Sequence, residues 1–286
     1  IEITFAHGCD YEGYDTAGFA EAIEKAKNAD EILFFGGETR DWTGENHNKT
    51  HITIPDVQLM LLRELKKLGK KIIFVLMTGR PLAALEMDQL SDAVLCVWHA
   101  GHQAGNGICD VLFGDTAPCG KLPFTFPRYI GQIPVYYAQY STGRPKKDYQ
   151  RYIDSPAEPL YPFGYGLSYA KIRYSDINVT KDAIQATDTL HASVKVHNES
   201  DVGTYEVVQV YFRDVVSTYA TPERKLCAFS KVWVDANSTV DVSFDIPASR
   251  FSMMTPKLEE IVEPGDFELY IGTDSTVTDF VHFRVV

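Results

Sequence analysis

The sequence predicts an α/β unit, a mostly parallel sheet with helices on both faces, followed by an all-β antiparallel sandwich. Three observations carry this. Short apolar runs alternate with amphipathic stretches through roughly the first 120 residues, a pattern that builds parallel sheets covered by helices. A stretch rich in Pro, Gly and Tyr follows, with prolines at 123, 127, 134, 145, 156, 159 and 162 that forbid long helices. From Tyr169 onward the chain reads as period-two runs separated by turn residues, the spacing of a small sandwich.

Taken in order, "IEITFA" (1–6) is expected as a strand and "AGFAEAIEKAKNA" (17–29) as a helix with Phe19, Ile23 and Ala26 on one face. "EILFFG" (31–36) is expected as a strand buried on both sides. Pro55 stands at or before the start of "DVQLMLLRELKKLG" (56–69), an amphipathic helix with a basic end and a terminal Gly69. "KIIFVLM" (71–77) and "AVLCVW" (93–98) follow as strands, with helical "RPLAALEMDQL" between them and "HQAGNGICDVLFG" after them. In the second half, "LHASVKVHNES", "EVVQVYFRDV", "KLCAFSKVWVD", "STVDVSFDIP", "GDFELYIGTD" and "FVHFRVV" are the expected strands. The implied boundaries are 1–125, an extended connection over 126–168 that packs on the first domain, and 169–286. A chain of 286 residues is long enough for two such cores.

Composition narrows the function. With 39 acidic against 27 basic residues the formal charge is −12, a field that repels phosphate backbones and anionic bilayers, so neither nucleic acid nor membrane is an expected partner. No run approaches the ~18 apolar residues of a membrane span, and the first residues lack the basic and apolar regions of a signal peptide. The cysteines at 9, 96, 109, 119 and 227 sit mostly beside apolar residues and are expected as mainly buried thiols, with a Cys109–Cys119 bridge left open. His99, His102, Cys109 and Cys119 do not have the spacing of a common zinc site, and "GHQAGNG" lacks the dinucleotide fingerprint. No metal and no cofactor are expected. Asn48, Asn178, Asn198 and Asn237 head Asn-x-Ser/Thr sequons, which matter only in a eukaryotic secretory route.

One connection stands out. "GGETRDWTGENHNKTHITIP" (36–55) follows an apolar strand and is far longer than the typical ~4–6 residues. Ligands of open α/β sheets gather at the carboxyl ends of strands, where this loop, "TGRP" (78–81) and "HAGHQAGNG" (99–107) all lie. Glu38 and Glu45 flank Trp42 there. A carboxyl that donates a proton near neutral pH needs burial or a like charge to raise its pKa, and a loop closing over a substrate supplies both. On residue types alone, solvated loop charges beside a packing tryptophan explain the same stretch. Arg80 is expected to pair with a carboxylate and brace the neighbouring loop, with structural support favoured over substrate contact.

Several segments together carry a resemblance: "TRDWTGENHNKTHITIP" before a helix, "KIIFVLMTGRPLA", "VWHAGHQAGNGICDVLFGDTAPCGKLPFTFPRYIGQIPVYY", "STGRP" and "PLYPFGYGLSY". In this order and spacing the chain resembles the C-terminal half of glycoside hydrolase family 3, the β-glucosidase and β-xylosidase group, with a fibronectin type III-like tail. The resemblance implies a retaining exo-acting β-glycosidase whose aspartate nucleophile lies in an N-terminal (β/α)8 barrel, in the same or a separate chain. It implies Glu45 as general acid/base, with Glu38 the runner-up, and Trp42, Asn46 and His47 as substrate contacts. Trp42, Glu45, Asn46 and Lys49 fall on the family's loop pattern, while Asn46-His47 departs from the small residue usual after the glutamate. The implied partner is a β-linked oligosaccharide or glycoside, the implied location secreted or periplasmic, and the chain alone is expected to be inactive. The alternative is a non-catalytic carbohydrate-binding or scaffolding module.

Overall fold

The computed structural model describes residues 1–140 and 152–286. The second "TGRP" with Arg144, and Arg151, lie outside the described residues. The chain divides into two compact units, Ile1–Cys109 with Phe126–Pro134, and Asp110–Thr125 with Val135–Val286. Of the proline-rich connection expected to pack on the first domain, only residues 126–134 group with the first unit.

In the first unit, among the described residues, β1 (Glu31–Gly37), β2 (Lys71–Met77) and β3 (Ala93–Cys96) form a parallel sheet in the order β1-β2-β3. β1 aligns Ile32 with Ile72 and Gly37 with Met77, so both strands end together and their following loops leave one edge. α1 (Phe19–Lys27) carries Glu21 in its first turn and Lys25 and Lys27 in its last, which complements the helix dipole. α2 (Asp56–Lys66) starts directly after Pro55, whose extended backbone needs no N–H donor there. It buries Val57, Gln58, Leu59, Leu61, Leu62 and Leu65 on one broad face, and the chain turns out of it at Gly69 (φ 67°). α3 (Leu85–Leu90) links β2 to β3, and α4 (Ala104–Leu112) follows β3.

Three expectations fail here. Residues 1–6 form no strand, and Ile1, Ile3 and Phe5 are exposed, because among the described residues no strand pairs with them. β1 is buried on one face only. Ile32 and Phe34 point inward, whereas Leu33 and Phe35 on the opposite face are 38% and 52% exposed. An apolar run identifies a strand but not the layers that cover it. Finally, the thiols are not mainly buried: Cys109 is exposed on α4, which has no buried residue, the other four are half-buried, and all five are free.

The second unit is a β-sandwich. β4 (Ile172–Val179), β6 (Thr189–Asn198) and β9 (Thr239–Pro247) form one sheet in the order β4-β6-β9. β5 (Ala183–Ile184), β13 (Phe280–Val285), β12 (Gly265–Gly272), β7 (Thr204–Asp214) and β8 (Lys225–Val234) form the other, in that order, while β10 (Met253–Met254) and β11 (Glu260–Ile261) pair as a short ribbon. All six strands expected from period-two runs are present. Inward residues such as Leu190, Val194, Val208, Val210, Phe267 and Phe283 make one apolar core. Phe267 stacks on Phe283 at 5.2 Å, with Phe251 and Phe212 around it. Asn198 is buried within this unit, where its side chain donates to Val202 O and accepts from Ser200 N and Oγ; that sequon serves as a turn clamp.

Candidate active-site loop

The loop after β1 is secured at its root by a buried carboxylate. Glu38 is 2% exposed, and its amide donates to Met77 O at 2.7 Å, continuing the β1–β2 pairing one residue further. Arg80 Nε donates to Glu38 Oε2 at 3.1 Å. The Thr78 hydroxyl lies 3.0 Å from the same oxygen and 2.8 Å from Arg80 O, with one proton to give between them, and accepts from Arg80 N at 3.2 Å. Lys49 Nζ stands 3.2 Å from Oε1, near enough for charge pairing but off hydrogen-bond direction, which leaves Oε1 without a hydrogen bond. One buried anion thus faces two partly buried cations, and pairing is what makes such burial tolerable.

Gln58 holds the same root from the helix side. Its carboxamide accepts from Gly37 N at 2.7 Å and donates to Gly37 O at 3.0 Å, pairing with both backbone groups of that residue as a neighbouring strand would. Gly37 has φ 117°, and an added Cβ would sit 2.1 Å from Met77 O, so no other residue fits there without moving β2.

Above this root Arg80 reaches the loop itself. Its Nη2 donates to the carbonyl oxygens of Trp42 and His47, and Nη1 also donates to His47 O at 3.3 Å. These two carbonyls bracket Glu45. The planar guanidinium can hold several acceptors at fixed angles, which an ammonium cannot. A short 3-10 turn, Arg40–Trp42, leads in. Thr43 packs against the Cα of Gly79, where an added Cβ would lie 2.3 Å from its Cγ2, and its Oγ1 is 3.2 Å from His99 Nε2. On the outgoing side, Thr53 bridges to Ala83, Ala83 N donates to Ile52 O at 2.7 Å, and Ile54 is buried. Gly44 (φ 140°) and Asn46 (φ 65°) make the sharp reversal between the clamped points, positions suited to glycine and asparagine.

Glu45 sits on that reversal, exposed, with no hydrogen bond or ion pair to any described residue. Asn46 and His47 are exposed beside it. Trp42 is half-buried. Lys49 Nζ lies 3.7 Å from its ring centroid, the Tyr11 ring meets it edge-on at 6.5 Å, and its Nε1 donates to Glu12 Oε1 at 3.2 Å. Behind Trp42 a depression of about 340 Å³ is lined by Tyr11, Glu12, Tyr14, Lys49, His51 and Asp56 among others.

The sequence-predicted residues Glu38, Trp42, Glu45, Asn46, His47 and Lys49 therefore lie on one continuous loop, and Arg80 braces it as its place at the end of β2 suggested. Sequence reasoning missed Glu12, Thr78 and Gln58. Gln58 lies on the buried face of α2, where a polar side chain signals a buried partner; nothing local marks Glu12 or Thr78.

Comparison with known proteins follows the same lines. Residues 2–169 match the glycosyl hydrolase family 3 C-terminal domain and residues 206–275 match the fibronectin type III-like domain. A periplasmic β-glucosidase of Salmonella typhimurium is 41% identical over 261 residues, covering 89% of this chain and 34% of that protein. A β-xylosidase of Formosa agariphila is 34% identical, covering 98% of this chain and 38% of that protein. The crystal structure of a β-glucosidase from Listeria innocua in complex with glucose superposes with TM-score 0.92 at 34% identity, covering 97% of this chain and 39% of that one. This chain spans about a third of the length of the curated relatives it matches. By its α/β sheet, its sandwich and the match over residues 2–169, the chain belongs to the family of glycosyl hydrolase family 3 C-terminal domains.

Proposed function

We propose that this chain is the C-terminal part of a retaining, exo-acting β-glycosidase that removes terminal non-reducing β-linked sugars, and that Glu45 is its general acid/base. One observation carries the assignment: of the two glutamates on the loop, Glu38 is enclosed and paired with two cations, while Glu45 is presented to solvent on a backbone gripped at both sides. A group that exchanges protons with a glycosidic oxygen must reach it, and a buried, ion-paired carboxylate cannot. Trp42, Asn46 and His47 are the proposed substrate contacts.

Retaining hydrolysis uses two carboxyl groups about 5–5.5 Å apart, a nucleophile and an acid that then acts as base. The nucleophile, an aspartate, is assigned to an N-terminal (β/α)8 barrel supplied in the same or a separate chain. The relatives, about three times as long, have room for such a domain. The chain by itself is accordingly proposed to be inactive. The β-glucosidase and β-xylosidase relatives support a β-linked glycoside as substrate, and the periplasmic relative supports a location outside the cytoplasm.

The test is Glu45→Gln in the full-length enzyme. Aryl glycosides with poor leaving groups should lose activity by about 100-fold or more, and those with good leaving groups should lose much less, because only the former need protonation. Unchanged kinetics on both would remove the assignment.

A further inference from the structure

We infer that Arg80 is the positioning residue for Glu45, with the buried Glu38 carboxylate as the fixed point from which it works. This rests on Glu45 as the acid/base. The geometry forms a chain of supports. Glu38 is held by β1–β2 pairing through its amide and by the Thr78 hydroxyl through its side chain. It orients the guanidinium through Nε, and the Nη1 and Nη2 end of the same plane is delivered to the carbonyls of Trp42 and His47. Between those carbonyls lie Thr43, Gly44, Glu45 and Asn46, two of them in the left-handed region, a segment with no regular structure to fix it. A displacement of about 1 Å at a reacting group costs about 100-fold in rate, so what holds these carbonyls sets the efficiency of the carboxyl between them.

Arg80→Lys is the informative change. Lysine keeps a cation beside Glu38, so no buried carboxylate is left unpaired, but its point charge cannot serve Glu38 and two carbonyls at once. Two measurements are needed. In this chain, hydrogen exchange reads the loop directly, because the amides of Trp42, Thr43 and His47 are bonded to Thr39, Arg40 and Gly44 carbonyls. They should exchange roughly tenfold faster or more in the variant. In the full-length enzyme, kcat for a poor leaving group should fall about 10- to 100-fold with KM nearly unchanged, and kcat for a good leaving group should fall less. Glu38→Asp, which draws the support back by one methylene, should give the same pattern more weakly, and serves if Arg80→Lys does not fold.

Unaltered exchange in both variants would overturn the inference, since Arg80 would not be holding the loop. So would faster exchange with normal kcat in an enzyme that Glu45→Gln impairs, since the carboxyl would then find its place without the clasp. If Glu45→Gln itself behaves as wild type, the acid/base reading falls and the positioning role falls with it, a result distinct from either of the others.

Discussion

Replacing Glu38 by Gln keeps the shape of the loop root and removes its charge. Glutamine still accepts from Thr78 and Arg80, so the loss is electrostatic: Arg80 and Lys49, whose side chains retain 19% and 24% exposure, face a neutral group. Breaking a buried ion pair by deleting one partner costs about 3–5 kcal/mol, and the residual exposure of both cations places this case at the lower end, about 3 kcal/mol. With a urea slope near 1.5 kcal/mol per M for a unit of this size, the midpoint should fall by about 2 M. Tryptophan fluorescence is a suitable probe, since Trp42 and Trp98 lie in the first unit and Trp233 in the second. A Trp233→Phe background then confines the signal to the unit under test. A midpoint shift below about 0.5 M, under 1 kcal/mol, would mean that the Glu38 pair contributes like an exposed salt bridge and that the loop root is wet.

Other outcomes follow from the same structure. Burial, with Glu263 beside it, pushes the Asp214 carboxyl up to about 6, above its ordinary value near 4. A folded-state pKa above the unfolded one stabilises below pH ~4, and that stabilisation is lost as pH rises through 6. Asp214→Asn should therefore unfold later than wild type at pH 7–8, by about 1 kcal/mol after allowing for partial exposure, and match it at pH 4. Equal differences at both pH values would refute this. Phe267→Ala, at a fully buried ring stacked on Phe283, should cost about 3–5 kcal/mol in calorimetric or denaturant unfolding of the second unit; a cost under 1 kcal/mol would show that the core is not packed around it. Among the thiols, exposed Cys109 should react first with a maleimide. Cys227, which burial pushes up to about 12, should be among the last, and mass mapping of partial labelling checks the order.

The strands of the second unit and helix α2 were legible from local pattern because their determinants lie within a few residues of each other. Alternation at positions 190, 192, 194 and 196 says strand whatever surrounds it, and the buried face of 57–65 says helix. Length and position were enough to single out the loop at 36–55, since a long connection at the carboxyl end of a parallel strand has few structural justifications. The strand expected at 1–6 failed because alternation describes a residue's preference, and a strand also requires a neighbour with which to exchange hydrogen bonds. Leu33 and Phe35 repeat the point for burial.

Glu38 and Glu45 could not be separated by composition. They are the same residue type, seven positions apart, on one glycine-containing loop. The groups that separate them are Thr78 and Arg80, forty or more residues from Glu38 along the chain, together with Lys49 folding back across Trp42. By itself the sequence determined most of the elements, their order and the long loop proposed here to carry the chemistry, because periodicity and loop length are local quantities. Only tertiary structure decided which carboxylate is enclosed and which is presented. Desolvation and ion pairing depend on what the fold carries to within about 4 Å, and sequence distance does not encode that.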